Sequence, residues 1–482
     1  MTTLPIDPPS PPNETRSLTH RETMLVVLGV LLPVFMGSLD TTILASALPT
    51  IGREFGDVHN LPWLVTAYLI ANTAITALYG KISDIHGRRV TLLIAISLYM
   101  AGSLVCALAP NMFVLILGRV LHGLGGGGLT STGMVVLGDI AAPKDRGKYY
   151  GYFSATYTTA GACGPALGGA IAEYLHWSVI FWMNIPLGLI AVALTLTLLR
   201  RLPRHERPHR LDFLGAFLIM TASVGFMLAL SMGGVRHPWT SPPILALFAV
   251  ALIVGIGFIV RLRTAPEPLI PLSILADRES RLSVIINAFG WGPIVGLHIF
   301  LPMYLQNIVG MAPASAGLSV LMLAVALNIS AGVTGTILPR LEHYKTIPVL
   351  GLLLAIVAVL MLAWRAASMS LWEFEVLLFL IGIGFGCMPP LAATALQNNV
   401  SIHTFGSAVA TMQFSRNLYA TMLVAVFGAI VLVGAAGGSA GAAAQYSVEG
   451  FERVFFAAAA SFAISLIAVM LLKEKPLQTT HA

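Results

Sequence analysis

Asp40, Arg119 and Arg416 stand inside long apolar stretches of a 482-residue chain. A charge at the centre of a membrane-spanning helix costs about 2.5–3.5 kcal/mol, so each needs a partner, a water-filled cavity or a task. A carboxylate in such a place exchanges a proton as its surroundings change. A guanidinium keeps its proton and biases that exchange. Counted along helices that rise 1.5 Å per residue, Asp40 and Arg119 both fall about 9 Å below the same membrane face. Matched depth predicts a pair in which Arg119 tunes Asp40 and protonation of Asp40 competes with the contact. A permanent ion pair stapling two helices is the alternative. His122 follows Arg119 by one helical turn on the same face, and either relays protons or rests as a neutral, hydrogen-bonded ring. Arg416 sits near mid-depth with no acid at that level in its own half of the chain. It faces an anionic group of a bound compound, or leans on backbone carbonyls and Gln413.

A second concentration of charge is Gly80-Lys81-Ile82-Ser83-Asp84-Ile85-His86-Gly87-Arg88-Arg89. It lies between two apolar stretches and reads as a compact basic turn, its glycines permitting reversal and its cations marking a cytoplasmic end. A counterpart, Gly335 to Lys345, keeps a glycine and basic residues but has Pro339 where Asp84 stands and Glu342 where Gly87 stands.

The elements that must position these groups are set by composition. The chain is 57% hydrophobic and 10% charged, with mean hydropathy +0.85. Soluble domains run near 25% charged. Apolar runs of about 20 residues recur, each long enough to cross a bilayer as a helix. The pattern predicts an all-α polytopic membrane protein with fourteen spans. A polar tail (1–22) is followed by six spans (23–199). Linkers and an inserted helix pair (200–280, helices 211–232 and 243–262), six more spans (281–472) and a short tail (473–482) complete it. Most of the 27 Lys and Arg fall in segments that share a side with the N-terminus; the opposite side holds Arg53, Arg236, Arg365 and Arg453. That asymmetry places both termini in the cytoplasm and accounts for the net charge of +6 without a nucleic-acid surface.

Other chemistry is excluded or bland. Cys106, Cys163 and Cys387 are isolated within spans, which indicates neither a disulfide nor a metal site. His205 and His209 lie in an Arg/Pro-rich linker as solvated groups. No phosphate-binding GxxxxGK followed by Ser or Thr occurs, so no ATPase is expected, and no nucleophile–base arrangement argues for an enzyme. No cofactor is called for beyond a proton gradient. The first 22 residues carry no apolar signal segment. Polar and aromatic residues at membrane depth form a candidate cavity lining: Tyr68, Asn72, His122, Tyr157, Asn287, Trp291, Asn328, Gln413 and Arg416. Gly161, Gly164, Pro165, Gly168 and Gly169 give one span a close-packing face and a proline.

Together these motifs resemble the major facilitator superfamily, in particular its fourteen-span drug:proton antiporter branch. Leu39-Asp40-Thr41-Thr42-Ile43 through Ala47-Leu48-Pro49 resembles the first-helix signature of that branch, and Gly80 to Arg89 its cytoplasmic gate motif. Leu117-Gly118-Arg119 through Gly123 resembles its fourth-helix arginine motif, and Gly161 to Gly169 the antiporter motif of helix 5. The resemblance implies two six-helix bundles around a central cavity and export of amphipathic or hydrophobic compounds in exchange for protons. It implies that Asp84, Arg88 and their neighbours hold the cytoplasmic side closed. A monomer in the bacterial inner membrane is expected. Tyr419 departs from the small-residue run that follows the helix 13 arginine in that branch, which would reshape the cavity, and no second membrane acid accompanies Asp40. A lipid or endogenous-metabolite exporter on the same fold, or a non-transporting membrane sensor or scaffold, are the alternatives.

Overall fold

A computed structural model describes residues 20–474, apart from 58–59, 141–142, 200–210, 235–236, 271, 312, 339–340, 342, 367–368, 401–403 and 436–446. The Arg/Pro linker with His205 and His209, and Pro339 and Glu342 of the second inner loop, therefore lie outside the described residues. Helices dominate. The first seven are α1 (His20–Phe55), α2 (Leu61–His86), α3 (Arg88–Ala107), α4 (Met112–Ile140), α5 (Pro143–Tyr174), α6 (Val179–Trp182) and α7 (Asn184–Leu198). A hairpin pair follows, α8 (Phe213–Met232) and α9 (Pro242–Thr264), then the short α10 (Leu272–Ala276). The last seven are α11 (Arg278–Asn307), α12 (Pro313–Ile337), α13 (Thr346–Arg365), α14 (Leu371–Gly386), α15 (Met388–Asn399), α16 (Phe405–Ala435) and α17 (Val448–Leu471).

Among the described residues, 13 helical stretches are long and apolar enough to cross a membrane. Two of them are broken. The stretch from Val179 to Leu198 breaks at Met183, ahead of Pro186, and that from Leu371 to Asn399 breaks at Cys387, ahead of Pro389 and Pro390. Proline disfavours helical geometry in the residue before it and removes a donor, so these breaks follow from sequence. Helix α5 opens with Lys144, Asp145, Arg146 and Lys148 and continues through Tyr, Thr and Gly, so it is less apolar than these stretches.

One expectation is corrected here. Gly80 to His86 is not a turn: α2 continues through it, and only Gly87, at φ 81°, interrupts the chain before α3 begins at Arg88. Gly80 serves contact instead. A Cβ there would overlap Ala410 Cβ of α16 and lie 2.8 Å from the Gly406 carbonyl oxygen. Only a glycine lets α2 and α16 approach so closely.

Helices α1–α7 pack on one another, as do α11–α17; α2 meets α16 and α5 meets α12 across the seam, where the α8–α9 pair leans on α2 and α16. The cores show the same division and an asymmetry between the two ends. Near the ends of α2 and α4 and the start of α16, the groups share one apolar cluster. In it Val27, Tyr79, Leu137 and Tyr149 meet Ala393, Leu396, Ala408 and Met412. At the opposite end, the cluster around Leu39, Ile51, Leu64, Met112 and Phe181 contains, among the described residues, no buried residue beyond Phe181. The halves are therefore sealed together at one end and have separate cores at the other.

Candidate functional site

Helices α1 and α4 bring Asp40 and Arg119 together. Nη1 of Arg119 donates to both carboxylate oxygens, at 2.8 and 2.7 Å, and Nε donates to the Leu64 carbonyl at 2.8 Å. Both side chains are 1% exposed. Two ions so desolvated are tolerable only because each is hydrogen-bonded; removing one partner from such a pair costs about 3–5 kcal/mol. The Tyr68 ring covers the guanidinium, its centroid 4.3 Å from Cζ, while the Tyr68 hydroxyl reaches the Gly37 carbonyl at 3.4 Å. The hydroxyl of Tyr99 donates to the Met36 carbonyl at 2.9 Å, bracing α1 one turn before Asp40.

His122 lies behind this pair. Its Nδ1 is 3.0 Å from Arg119 Nη1 and 3.6 Å from Asp40 Oδ1. A guanidinium has only donors, so Nδ1 must accept and the ring proton belongs on Nε2. A proton added at Nδ1 would face the guanidinium, which argues against relay through that atom. The arrangement depends on the glycines of α3 and α4. A Cβ on Gly102 would overlap the His122 backbone, and one on Gly123 would lie 3.1 Å from Tyr68 Cα.

Asp40, Arg119 and Tyr68 form one wall of a cavity of about 690 Å³ between the two groups of helices; Tyr157, Trp291, Asn328 and Arg416 line it from other sides. That volume suits a drug-sized compound. Of the remaining residues expected to line it, Asn72 donates weakly to the Tyr68 hydroxyl at 3.5 Å, and His122 lies behind the wall. Asn287 and Gln413 are 6% and 3% exposed and lie off the cavity wall. The sequence marks them as polar groups at membrane depth, but their helix faces turn away from the cavity. Tyr419 likewise lies off the cavity wall. Its ring packs on Phe289, with centroids 4.1 Å apart, in a space left by Gly292, and its hydroxyl meets Ser461 at 3.0 Å.

In α5, Gly161 lines the cavity with open space at its Cβ position, and Gly164 lies against Thr42, whose hydroxyl donates to the Ala160 carbonyl at 3.2 Å. Gly168 is buried. Pro165 and Gly169 fall within unbroken α5, their side-chain positions outside the described residues.

The charged segment around Asp84 closes the sealed end. One Asp84 oxygen accepts from Gly406 N at 3.1 Å; the other accepts from Ser407 N at 2.8 Å and Ser407 Oγ at 2.7 Å. A carboxylate of the first half thus caps the N-terminus of α16 in the second, where orphan N–H groups and the helix dipole favour an anion. Arg88 holds it there, donating from Nη1 to Asp84 at 2.8 Å and from Nε to Asp139 at 2.6 Å. Arg89 donates to the Leu196 carbonyl at 3.1 Å, and Lys81 lies 4.0 Å from Glu267 in the segment leaving the inserted pair. Asp139, Gly406 and Ser407 were not anticipated. A lone acid at the end of α4 was the available signal for the first; backbone donors carry none.

Comparisons with known proteins agree with this architecture. Residues 30–423 match the family described as Major Facilitator Superfamily. The chain is 32% identical over 409 residues to the multidrug transporter protein MdtP of Bacillus subtilis, spanning 84% of this chain and 75% of that protein. It is 27% identical to multidrug resistance protein 3 of the same organism, spanning 86% and 81%. Among solved structures, the human organic anion transporter MFSD10 superposes with a TM-score of 0.66 at 16% identity, covering 93% of this chain and 99% of that one. The proton:xylose symporter XylE does so at 0.64 and 14%, covering 94% and 96%. At such identities these two likenesses speak to the fold alone. With its helices, central cavity and sequence match in accord, the chain belongs to the Major Facilitator Superfamily of membrane transporters.

Proposed function

We propose that the protein is a proton-coupled exporter of amphipathic or hydrophobic compounds, working by alternating access as a drug:proton antiporter. The observation that carries this reading is the Asp40–Arg119 pair at the wall of a drug-sized cavity. Protonation of Asp40 removes its charge and weakens the hold of Arg119; a proton leaving restores it. In this reading the protein is held in an outward-facing state, sealed at the cytoplasmic end by Asp84 on α16. In this reading α5 is the fourteenth span. Its less apolar sequence suits a helix that faces the cavity rather than lipid. The two bundles divide at the linkers flanking the α8–α9 pair, both termini are cytoplasmic, and the protein works as a monomer in the bacterial inner membrane without an ATPase. Relatives named as efflux pumps, such as dotC of Dothistroma septosporum, support the direction of transport.

A second cavity, of about 490 Å³, lies beside the inserted pair and is lined by Leu69, Ile70, Met227, Trp239, Phe300 and Val424 among others. Its apolar walls favour a lipid cargo as the second reading. Proteoliposomes with an imposed pH gradient, screened over cationic, neutral and anionic dyes and fluorescent lipids, separate the two. Gradient-driven movement of dyes supports the first, and movement of lipids alone supports the second. Transport of neither under any gradient contradicts both.

A further inference from the structure

Arg416 is the cation that neither the coupling pair nor the cytoplasmic latch uses. It projects from α16 into the central cavity, where its Cζ lies 5.0 Å from the centroid of the Trp291 ring. Its Nε reaches Asn417 Oδ1 at 3.3 Å, and the Tyr157 hydroxyl of α5 stands beside the guanidinium. Among the described residues, no carboxylate forms an ion pair with it. The acid of the same cavity is already engaged, both oxygens of Asp40 accepting from Arg119. Asp40 and Arg119 cancel. The cavity is left with one uncompensated positive charge among apolar walls that include Ile294, Leu321 and Leu327.

A charge in so apolar a setting needs a counterion. The Trp291 face, an amide and a phenol are partial partners; none carries a full negative charge. A guanidinium binds a planar oxyanion through two parallel hydrogen bonds, a geometry that ammonium groups lack.

We infer that Arg416 is the head-group subsite for anionic amphipathic substrates, with Tyr157 as a second donor and Trp291 flanking the apolar body. The inference deepens the exporter reading and rests on the central cavity being where substrate binds. It excludes lipophilic cations as preferred cargo, because Arg416 repels them and Asp40 is occupied. Arg416 and Tyr157 come from opposite halves of the molecule, so an oxyanion held between them senses the relative position of the two bundles.

The test is isothermal titration of the full chain in zwitterionic nanodiscs, with empty nanodiscs as blank. The probes are 4-(1-pyrenyl)butyrate, its methyl ester and the matching butylammonium. Expected is binding of the carboxylate at least about tenfold tighter than the ester, and weakest binding of the ammonium. Arg416→Gln removes the preference for carboxylate over ester, whereas Arg416→Lys retains part of it. Equal affinity for the ammonium and the carboxylate, an unchanged preference in Arg416→Gln, or no binding of any probe overturns the inference. The wild-type comparison needs no variant to fold. Failure of the exporter reading looks different: the carboxylate binds as described, yet no pH gradient moves it.

Discussion

Replacing Asp84 by alanine unlocks the sealed end, and the structure sets the size of the effect. The side chain accepts three hydrogen bonds from the first turn of α16 and one from Arg88. Loss of a helix cap costs about 0.5–2 kcal/mol, and loss of an anion at a helix N-terminus about 0.3–1 kcal/mol more. Arg88 keeps Asp139, so its own loss is partial. The sealed state therefore weakens by about 2 kcal/mol relative to the opened one, roughly a 30-fold change in their ratio. Ala393, 3% exposed in the apolar cluster shared by the two halves, reports opening once replaced by cysteine. With Cys106, Cys163 and Cys387 changed to alanine, maleimide labelling at position 393 is measured in nanodiscs. Where reclosing is faster than alkylation, the rate follows the opened population, so Asp84→Ala raises it by one order of magnitude or more. Asp84→Asn keeps one acceptor oxygen and falls between. Equal labelling in wild type and Asp84→Ala refutes the latch.

Other expectations are narrower. Gly80→Ala drives a methyl into Ala410 of α16, and overpacking of this kind costs about 1–3 kcal/mol. Labelling at position 393 should rise in that variant although no charge is changed. Arg119→Gln leaves Asp40 buried without its cation, at a cost of about 3–5 kcal/mol if Asp40 stays ionised, so its melting temperature falls sharply. The double variant Asp40→Asn with Arg119→Gln should recover part of that loss in a melting experiment. At the C-terminal end of α17, burial opposes ionisation of Glu474. The Lys345 N–H and the His343 ring outweigh that effect and hold its carboxyl below the usual range. A depressed carboxyl contributes stability at neutral pH, and the contribution is lost as pH falls through its folded value. Glu474→Gln should therefore lower the melting temperature at pH 7, by a margin that shrinks as the pH is lowered through the carboxylate range; a margin that grows instead contradicts the assignment.

The Asp40–Arg119 contact was legible because charge is rare in this chain and helical rise converts residue counts to depth. Asp40 and Arg119 needed only the assumption that α1 and α4 are neighbours. The latch was half legible. Asp84 and Arg88 stand out as charges, but the groups that Asp84 holds lie 322 and 323 residues away and are largely backbone N–H, which any residue supplies. At Gly80 glycine suits a reversal and a close helix contact equally, and sequence does not distinguish them. Asn287, Gln413 and Tyr419 show the other limit. At membrane depth every face of a helix is apolar, against lipid or against protein, so periodicity does not say which face meets the cavity. For the same reason the sequence alone leaves Arg416 between two environments. Trp291 and Tyr157, which settle its surroundings, come from helices whose packing around α16 no local pattern encodes.

The central claim is that Asp40 couples protons to transport, and it separates cleanly from transport itself. In proteoliposomes loaded with the preferred dye, wild-type protein should perform both dye–dye exchange without a gradient and accumulation driven by a pH gradient. Asp40→Asn should keep the exchange and lose the accumulation. Accumulation by Asp40→Asn at the wild-type rate and extent would contradict the account.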